Sequence, residues 1–525
     1  MMSVSASPVA VGAGAPAFTA GAVVDCVRRF REHAHVVTDP DGRRLGVVTG
    51  PTPRHHVVGS LPPLYPEWLG GRVFCEAHGV RFPYVAGEMA NGIAGTRLVV
   101  ALAKAGMLGF FGAAGLEPRE VEDAVRELGA ALPGRANWGV NLGHTPGRPD
   151  RERRIAEVLL RGGAPRISLS AFTDLTPTAV RCSATGLRLD REGRVVRPTR
   201  VLAKVSRPEV AEKFLAPAPA ALLRSLVDRG DLTEEQARLA ARVPVAEDVT
   251  VEADGGGHTD GRPLTALLPA VLALRDRHVQ RHGHHVRVGA AGGLGTPESV
   301  AAAFALGAEY VVTGSVNQAA VEAGVSDAAK RMLAEVDIAD VATVPAPDAP
   351  APGVRLQVAR RGTLFAARAA RLHEVHREHA GLHALPASVV AELEQEVFRL
   401  PLARVWELAR ESWRRRDPAQ LVRAERDPKH RMALVFQWYL VGSTRWAITG
   451  DPDRRADYQL WCGPALGAFN RWAAGSFLAE PGNRTVVQVA LNLLEGAAVT
   501  TRAHQLRTHG VAVPAAAAFR PVRLV

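Results

Sequence analysis

From about residue 80 to residue 335, short apolar runs alternate with longer stretches in which apolar residues recur at helical spacing. The runs are Tyr84–Gly87, Met107–Phe111, Trp138–Leu142, Ile167–Ser170, Val201–Val205, Thr250–Ala253, Val286–Ala290 and Tyr310–Thr313. These predict eight strands. Helix-length segments lie between most of them, such as Thr96–Ala105, Pro118–Ala131, Arg262–His282 and Pro297–Leu306. Strand-then-helix repetition predicts a parallel sheet. Eight such units predict a closed barrel. Cys182–Pro198, with Gly186 and Gly193, breaks the rhythm and reads as an inserted hairpin.

Either side of this region the pattern changes. Residues 1–45 read as a leader, partly disordered, with a short irregular segment. Residues 341–353 are rich in Pro and Ala and read as a linker or crossing strap. Beyond them Thr363–His379, Ser388–Phe398, Leu402–Arg415, Arg431–Ile448, Ala456–Ala474 and Thr485–His509 carry helix-like apolar spacing. The expected fold class is therefore α/β: a (β/α)8 TIM barrel over 46–340, followed by a helical domain or cap over 354–525. No solenoid-type repeat is evident.

Composition supports this division. The chain has 525 residues, 47% of them hydrophobic, and a barrel uses roughly 250, so about half remains for other structure. Mean hydropathy is near zero, and no charge-free apolar stretch reaches about 18 residues, so no membrane span is expected. The first 25 residues are rich in Ala, Gly and Val but lack the basic start of a signal peptide. Cys26, Cys75, Cys182 and Cys462 are scattered. That spacing argues against disulfides and against a metal site, and it fits a reducing, cytoplasmic setting. The net charge is +11, which would suit nucleic acid. Yet only five of the basic residues are lysines, a bias typical of GC-rich coding, and no basic stretch is interleaved with aromatics. No nucleic-acid partner is expected.

The densest chemical signal is GAAGGLGTPESV (Gly289–Val300), followed by VVTGSVNQ (Val311–Gln318). Each is a strand, a small-residue turn and a helix start. In a barrel these are the loops after the seventh and eighth strands, where glycines let backbone N–H groups approach a phosphate. Pro297 suits the first helical turn, with Thr296 as its cap. Ordinary tight turns are the bland alternative, and two at successive strand ends weigh against it. EADGGGHTDGRPL (Glu252–Leu264) is the second signal. Gly255–Gly257 would let backbone lie close to a flat ligand such as a flavin ring, and His258 could donate a proton or a hydrogen bond there, or simply cap a turn. In VAGEMANGIAGT (Val85–Thr96), Met89 could pack on such a ring and Asn91 could hydrogen-bond flavin or substrate. Asn141 ends the third strand and Lys204 the fifth. Lys204 could stabilise negative charge on a phosphate or on a reduced flavin, or snorkel to solvent.

At these motifs the chain resembles the PfaD-type, trans-acting enoyl reductases of polyketide and polyunsaturated fatty acid synthases, within the nitronate monooxygenase-like flavin barrels. The resemblance spans roughly 45–505. It rests on LPPLYPEWLG (61–70), GEMANGIAG (87–95), KAGMLGFFGAAGL (104–116), AKVSRPEVA (203–211), the three motifs above, RDPKHRMAL (426–434) and DYQLWCGPALGAFN (457–470). It implies FMN at the barrel mouth, reduced by NADPH or NADH, and hydride transfer to the β-carbon of an enoyl thioester carried by an acyl carrier protein. It also implies that Met89, Asn91, Asn141, Lys204, Gly292, Gly293, Gly314 and Ser315 contact the flavin. Gly87, Glu252, Gly256, Gly257, Gly295 and Thr313 complete the expected cofactor site, and His258 is the expected catalytic residue. Where the family usually has Ser, this chain has Gly255, and the family's Met-containing segment is replaced by the Pro/Ala-rich 345–352. Residues 355–445 hold 17 Lys/Arg against 10 Asp/Glu. Arg414, Arg415, Arg416, Arg423 and Arg426 are therefore candidates for docking an acidic carrier, a solvated helix face being the alternative. Rival functions are a nitronate monooxygenase-like oxidase and a non-catalytic FMN-binding scaffold for carriers. Barrels of this sort often associate, a homodimer being one such form, and nothing in the sequence fixes how.

Overall fold

The structure, a computed structural model, describes residues 15–51, 55–345 and 355–524. All eight expected strands form and close into one parallel barrel. They are β1 (Tyr84–Ala86), β2 (Leu108–Phe111), β3 (Trp138–Gly143), β4 (Arg166–Ser170), β5 (Arg200–Val205), β6 (Asp248–Glu252), β7 (Arg287–Ala291) and β8 (Val311–Thr313). Pairing of Val311 with Tyr84 and of Val85 with Leu108 closes the ring. These strands are buried along nearly their whole length, as expected for a parallel sheet covered on its outer face by helices. The hairpin expected within 182–198 is the pair Arg188–Leu189 and Val195–Val196; Cys182 itself ends the preceding helix, Pro177–Ala184.

The N-terminal ends of the strands are plugged by a buried ionic cluster. Asp248 accepts two hydrogen bonds from Arg287, at 2.6 and 2.8 Å. His78 Nε2 lies 3.1 Å from the same carboxylate, and Arg166 donates to His78 Nδ1 at 2.8 Å. Because Nδ1 accepts, Nε2 carries the hydrogen and donates to Asp248. Burial alone would raise the Asp248 pKa, but His78 and Arg287 outweigh it and hold the carboxyl well below its usual range. This end is therefore a structural plug, and the opposite, C-terminal end is open for chemistry.

Three departures from the expected organisation stand out. Residues within 1–45 are not an irregular leader where they are described. Ala20–Arg28 is a helix, and Ala34–Thr38 pairs antiparallel with both Leu45–Thr49 and Val57–Leu61. Residues 1–14 of that leader lie outside the described residues. Val341–Pro345, placed in the linker, is a strand paired with Arg355–Ala359, and 346–353 lies outside the described residues. Finally, 354–525 is not one helical domain. Residues 365–449 build a separate core around Phe365, Leu372, Phe398, Val405, Met432 and Tyr439. Phe469, Val486, Val489, Leu493 and Leu494 instead join the core of the barrel. The last long helix, Val486–Thr508, runs so close to the helix Pro297–Ala305 that a Cβ on Gly496 would collide with Pro297. Its far end, with Ala503 and Leu506, packs on the N-terminal sheet, where buried Arg502 donates to the carbonyls of Phe30 and Pro62.

The helices used below are α1 (Pro149–Arg161), α2 (Pro297–Ala305), α3 (Leu402–Arg416), α4 (Pro418–Arg426), α5 (Pro428–Thr449) and α6 (Pro464–Ala473). Sequence spacing missed α4. Asp417 ends α3 and caps α4 through the N–H of Ala419, so two short helices stand where the pattern suggested one helix and a gap.

Candidate functional site

Two glycine turns shape one side of the mouth. After β7, Gly292 and Gly293 have φ of +87° and +72°, a region open to glycine and costly for other residues. Thr296 caps α2, accepting from Ser299 N–H at 3.3 Å, with Pro297 in the first turn, as expected. A Cβ on Gly293 or on Gly314 would meet nothing within 4 Å. Among the described residues no protein acceptor takes the N–H of either. Unpaired amides and open space beside the α-carbons at two adjacent strand ends fit a phosphate cradle.

The segment Trp461–Ala465 closes against this cradle. Ser315 Oγ accepts from Gly463 N–H at 3.3 Å. A Cβ on Gly256 would lie 2.6 Å from Ser315 Oγ and 2.7 Å from Cys462 Cα, and one on Gly295 would strike the Ala465 carbonyl. Gly256, Gly295, Ser315 and Gly463 thus interlock four loops with no space for side chains. The DYQLWCGPALG motif, assigned by sequence to a separate helical half, is part of the barrel mouth.

A small antiparallel sheet continues this wall. Gly257–Thr259 pairs with Arg355–Ala359, setting His258 opposite Leu356. His258 is exposed, its ring edge-on to Trp461 at 6.0 Å and 68°. Its loop is pinned by Asp260, which accepts from Arg207 twice at 2.9 Å and from Ser206 at 2.5 Å. Gln357, on the same sheet, donates to Asp254 at 2.7 Å. Its side-chain oxygen is buried without a partner, beside Gly463. This orphan acceptor lacks a donor, and a ring N–H or ribityl hydroxyl would supply one.

The barrel axis holds a polar cluster. Lys204 Nζ lies 2.8 Å from Glu252 and 3.3 Å from Glu88. Burial would lower the Lys204 pKa, but the two carboxylates more than reverse that and keep its ammonium charged far above neutral pH. Asn141, fully buried, donates to Ser170 Oγ at 2.9 Å, to the Ser168 carbonyl at 3.1 Å and to Glu88 at 3.4 Å. Ser168 Oγ donates to Glu88 at 3.2 Å. Lys204 is thus no surface lysine. Its charge is already matched by two acids, which turns it from a free anion receptor into the centre of a fixed network. Glu88, Ser168 and Gln357 were missed from sequence because partners on distant strands define their roles. Glu88, inside GEMANG, carried the one available signal.

The other expected residues divide. Met89 is half-buried between the barrel core and the Cys462–Leu466 cluster. Asn91 sits at φ +57°, its carboxamide filling the space a Cβ on Gly115 would need. Gly87 is packed against Val312. Thr313 is turned inward: its hydroxyl meets Tyr84 at 2.5 Å and Asn317 at 2.9 Å, so its side chain is committed to the core. Arg414, Arg415, Arg416, Arg423 and Arg426 are not at this wall; they lie exposed at the ends of α3 and α4. Arg415 pairs with Glu411 at 3.6 Å and Arg423 with Asp427 at 3.5 Å. Among the described residues no group of three or more His, Cys, Asp or Glu is arranged to hold a metal ion, and no helix is long and apolar enough to cross a membrane.

Known proteins agree with this architecture. Residues 232–398 match the nitronate monooxygenase family, and 379–458 match the inserted helical domain of [acyl-carrier-protein] S-malonyltransferase. The class defined is therefore a nitronate monooxygenase-like barrel oxidoreductase carrying a helical insertion. The enoyl reductase domain of MlnA, from the macrolactin biosynthesis cluster of Bacillus amyloliquefaciens, superimposes with a TM-score of 0.80 at 36% identity, over 84% of this chain and 99% of that one. A polyunsaturated fatty acid synthase subunit of Thraustochytrium sp. is 42% identical over 84% of this chain, and polyketide biosynthesis protein PksE of Bacillus subtilis 40% identical over 82%. The chain belongs to the PfaD-type enoyl reductase family of polyketide and polyunsaturated fatty acid synthases. It spans only 30% of the Thraustochytrium protein and 56% of PksE. FabK of Thermotoga maritima, at 19% identity and a TM-score of 0.50, shares the fold.

Proposed function

We propose that this chain is an FMN-dependent enoyl reductase, acting in trans on enoyl thioesters borne by an acyl carrier protein, with NADPH or NADH as reductant. The observation that carries the reading is the glycine cradle of Gly292–Gly293 and Gly314–Ser315, closed by Trp461–Ala465. FMN, held by these residues, would supply the hydride chemistry between the dinucleotide and the β-carbon. The chain's own residues bind, orient and protonate. The amides of Gly293 and Gly314 face the phosphate. Gly256 lets the Trp461–Ala465 segment close on Ser315, and the orphan Gln357 oxygen would accept a hydrogen bond from the cofactor. Asn141, Glu88, Lys204 and Glu252 form a rigid polar floor. His258 holds the proton that the α-carbon receives.

The purified protein should be yellow, with bands near roughly 370 and 450 nm, as flavins show generally. Anaerobic NADPH should bleach it, and a crotonyl thioester should restore the colour. His258→Ala should bleach at the wild-type rate and recover at least about 10²-fold more slowly. A colourless protein that takes up no FMN sinks the cofactor assignment, and unimpaired recovery in His258→Ala sinks that residue's role. The nitronate monooxygenase match over 232–398 favours one rival, an oxidase. Recovery with O2 and a nitronate, but not with the thioester, would establish it.

A further inference from the structure

The arc of the mouth above β2 and β3 carries a concentration of positive charge that the glycine cradle does not account for. Arg148 lies in the loop between β3 and α1, its guanidinium 5.4 Å from the ring centre of Trp413 in the last turn of α3. Arg151, in the first turns of α1, donates to the carbonyl of Leu116 in the loop after β2. Its Nε is buried without a partner. Arg416 ends α3, and Arg445 stands on α5. Partial desolvation lowers the pKa of Arg151 and of Arg416, and repulsion from Arg148 lowers both further; Arg445 adds to the effect on Arg416, while Glu117 opposes it in both.

The ion pairs of this region stop short of these four groups. Arg153 pairs with Asp150 at 3.4 Å and Arg415 with Glu411 at 3.6 Å, each within its own helix. Among the described residues no carboxylate stands within ion-pair distance of Arg148, Arg151, Arg416 or Arg445. The contrast with Arg166 and Arg287 at the barrel floor is plain, because those two share the carboxylate–histidine cluster of Asp248 and His78. Like charges are drawn together here from the barrel and the helical insertion with no carboxylate in direct contact, Glu117 and Glu120 offsetting them only from a distance, and a bound anion would relieve the remaining repulsion. A guanidinium presents a planar fork that matches phosphate oxygens two at a time.

We propose that Arg148, Arg151, Arg416 and Arg445 form a second phosphate-binding site on the barrel mouth, and that it takes the phosphodiester of the phosphopantetheine arm through which a carrier protein presents its thioester. The identity of the occupant rests on the carrier-dependent reading above; the site itself rests on the arginines. Its place fits. In the closed ring, β1 on one side and β4–β6 on the other separate this arc from the loops of β7 and β8. A thioester held here by its phosphate would reach inward over the polar floor without competing for the glycine cradle. Arg414 and Arg415, exposed on the same helix end, and Arg423 and Arg426 on α4 extend the positive field outward, so the anion is expected at the tip of a larger acidic body.

Calorimetry with 4′-phosphopantetheine and with pantetheine on the full chain tests the site without turnover. The wild type should bind the phosphorylated compound about tenfold or more tightly, the scale of one or two charge-assisted hydrogen bonds. Arg148→Gln/Arg416→Gln should bind both equally weakly, with an unchanged thermal midpoint. If that variant does not fold, Arg445→Gln, at an exposed position, should show a smaller loss of the same kind. In turnover the double variant should raise KM about tenfold for an enoyl phosphopantetheine thioester, and leave KM for the enoyl pantetheine thioester and for NADPH unchanged. A wild type that does not distinguish the two pantetheines overturns the site. A rise confined to KM for NADPH, absent with NADH, overturns the occupant and assigns the arginines to the dinucleotide 2′-phosphate. A protein that reduces no thioester yet distinguishes the pantetheines keeps the site and loses the proposed reaction.

Discussion

At the scale of single residues, the two ends of the barrel use charge in opposite ways. At the floor, Asp248 has a donor for each oxygen and is fully buried. Removing its charge leaves Arg287 buried without a counter-ion and robs His78 of its acceptor. Asp248→Asn should therefore cost about 3–5 kcal/mol at pH 7, read as a shift of the denaturation midpoint. The sign of the pH dependence follows from the depressed carboxyl. Its stabilisation is complete above the unfolded-state pKa of about 3.9 and is lost as pH falls through the lower folded value. The gap between wild type and variant should thus narrow below about pH 4. Burial also lowers the His78 pKa, so its protonation in the unfolded chain weakens the wild type from about pH 6.5 downward. A gap that stayed constant from pH 7 to pH 2 would contradict the assigned network.

At the scale of elements, the glycines separate into those whose side-chain space is filled by protein and those whose side-chain space is open. Gly295 abuts the Ala465 carbonyl, whereas Gly314 faces open space at negative φ. Gly295→Ala should push Trp461–Ala465 off the mouth and lower both the thermal midpoint and FMN retention, at the roughly 1–3 kcal/mol typical of overpacking. Gly314→Ala should leave the midpoint of the FMN-free protein alone and weaken FMN binding only. Equal thermal losses in both would mean that the Gly314 turn is merely structural. The same contrast explains what was legible in the chain. Strand positions and the turns at Gly292 and Gly314 are local signals, and apolar runs with small-residue ends reveal them. Glu88, Ser168 and Gln357 acquire their roles from partners on other strands, and no local pattern encodes that. The N-terminal sheet was hidden because its short strands are broken by polar turns such as Asp39–Arg44, where Asp39 accepts from the N–H groups of Arg43 and Arg44. The motif around Trp461 stands out in the chain, but its position on the mouth depends on a chain reversal that periodicity does not reveal.

At the scale of the whole molecule, the chain is interleaved rather than strung out as domains. The N-terminal helix and sheet come first and the barrel next; the insertion of 365–449 follows with its own core, and the chain then returns to cover the barrel with α6 and Val486–Thr508. The insertion is thus held at both ends by barrel-bound segments, which fixes the arginine-rich ends of α3 and α4 relative to the mouth. Its excess of basic residues, 17 against 10 acidic ones over 355–445, makes its outward field positive. Exposed charges at a docking rim act mainly through long-range attraction, screened over about 10 Å at 0.1 M salt. Arg414→Glu/Arg426→Glu, at two exposed positions, should therefore raise KM for carrier-bound substrate several-fold at low ionic strength and flatten its dependence on salt. Small thioesters should be unaffected, since they bring no acidic surface. A KM that rises equally for carrier-bound and small substrates would place the effect inside the mouth rather than on this face. A KM that does not change for either would leave α3 and α4 as a solvated surface.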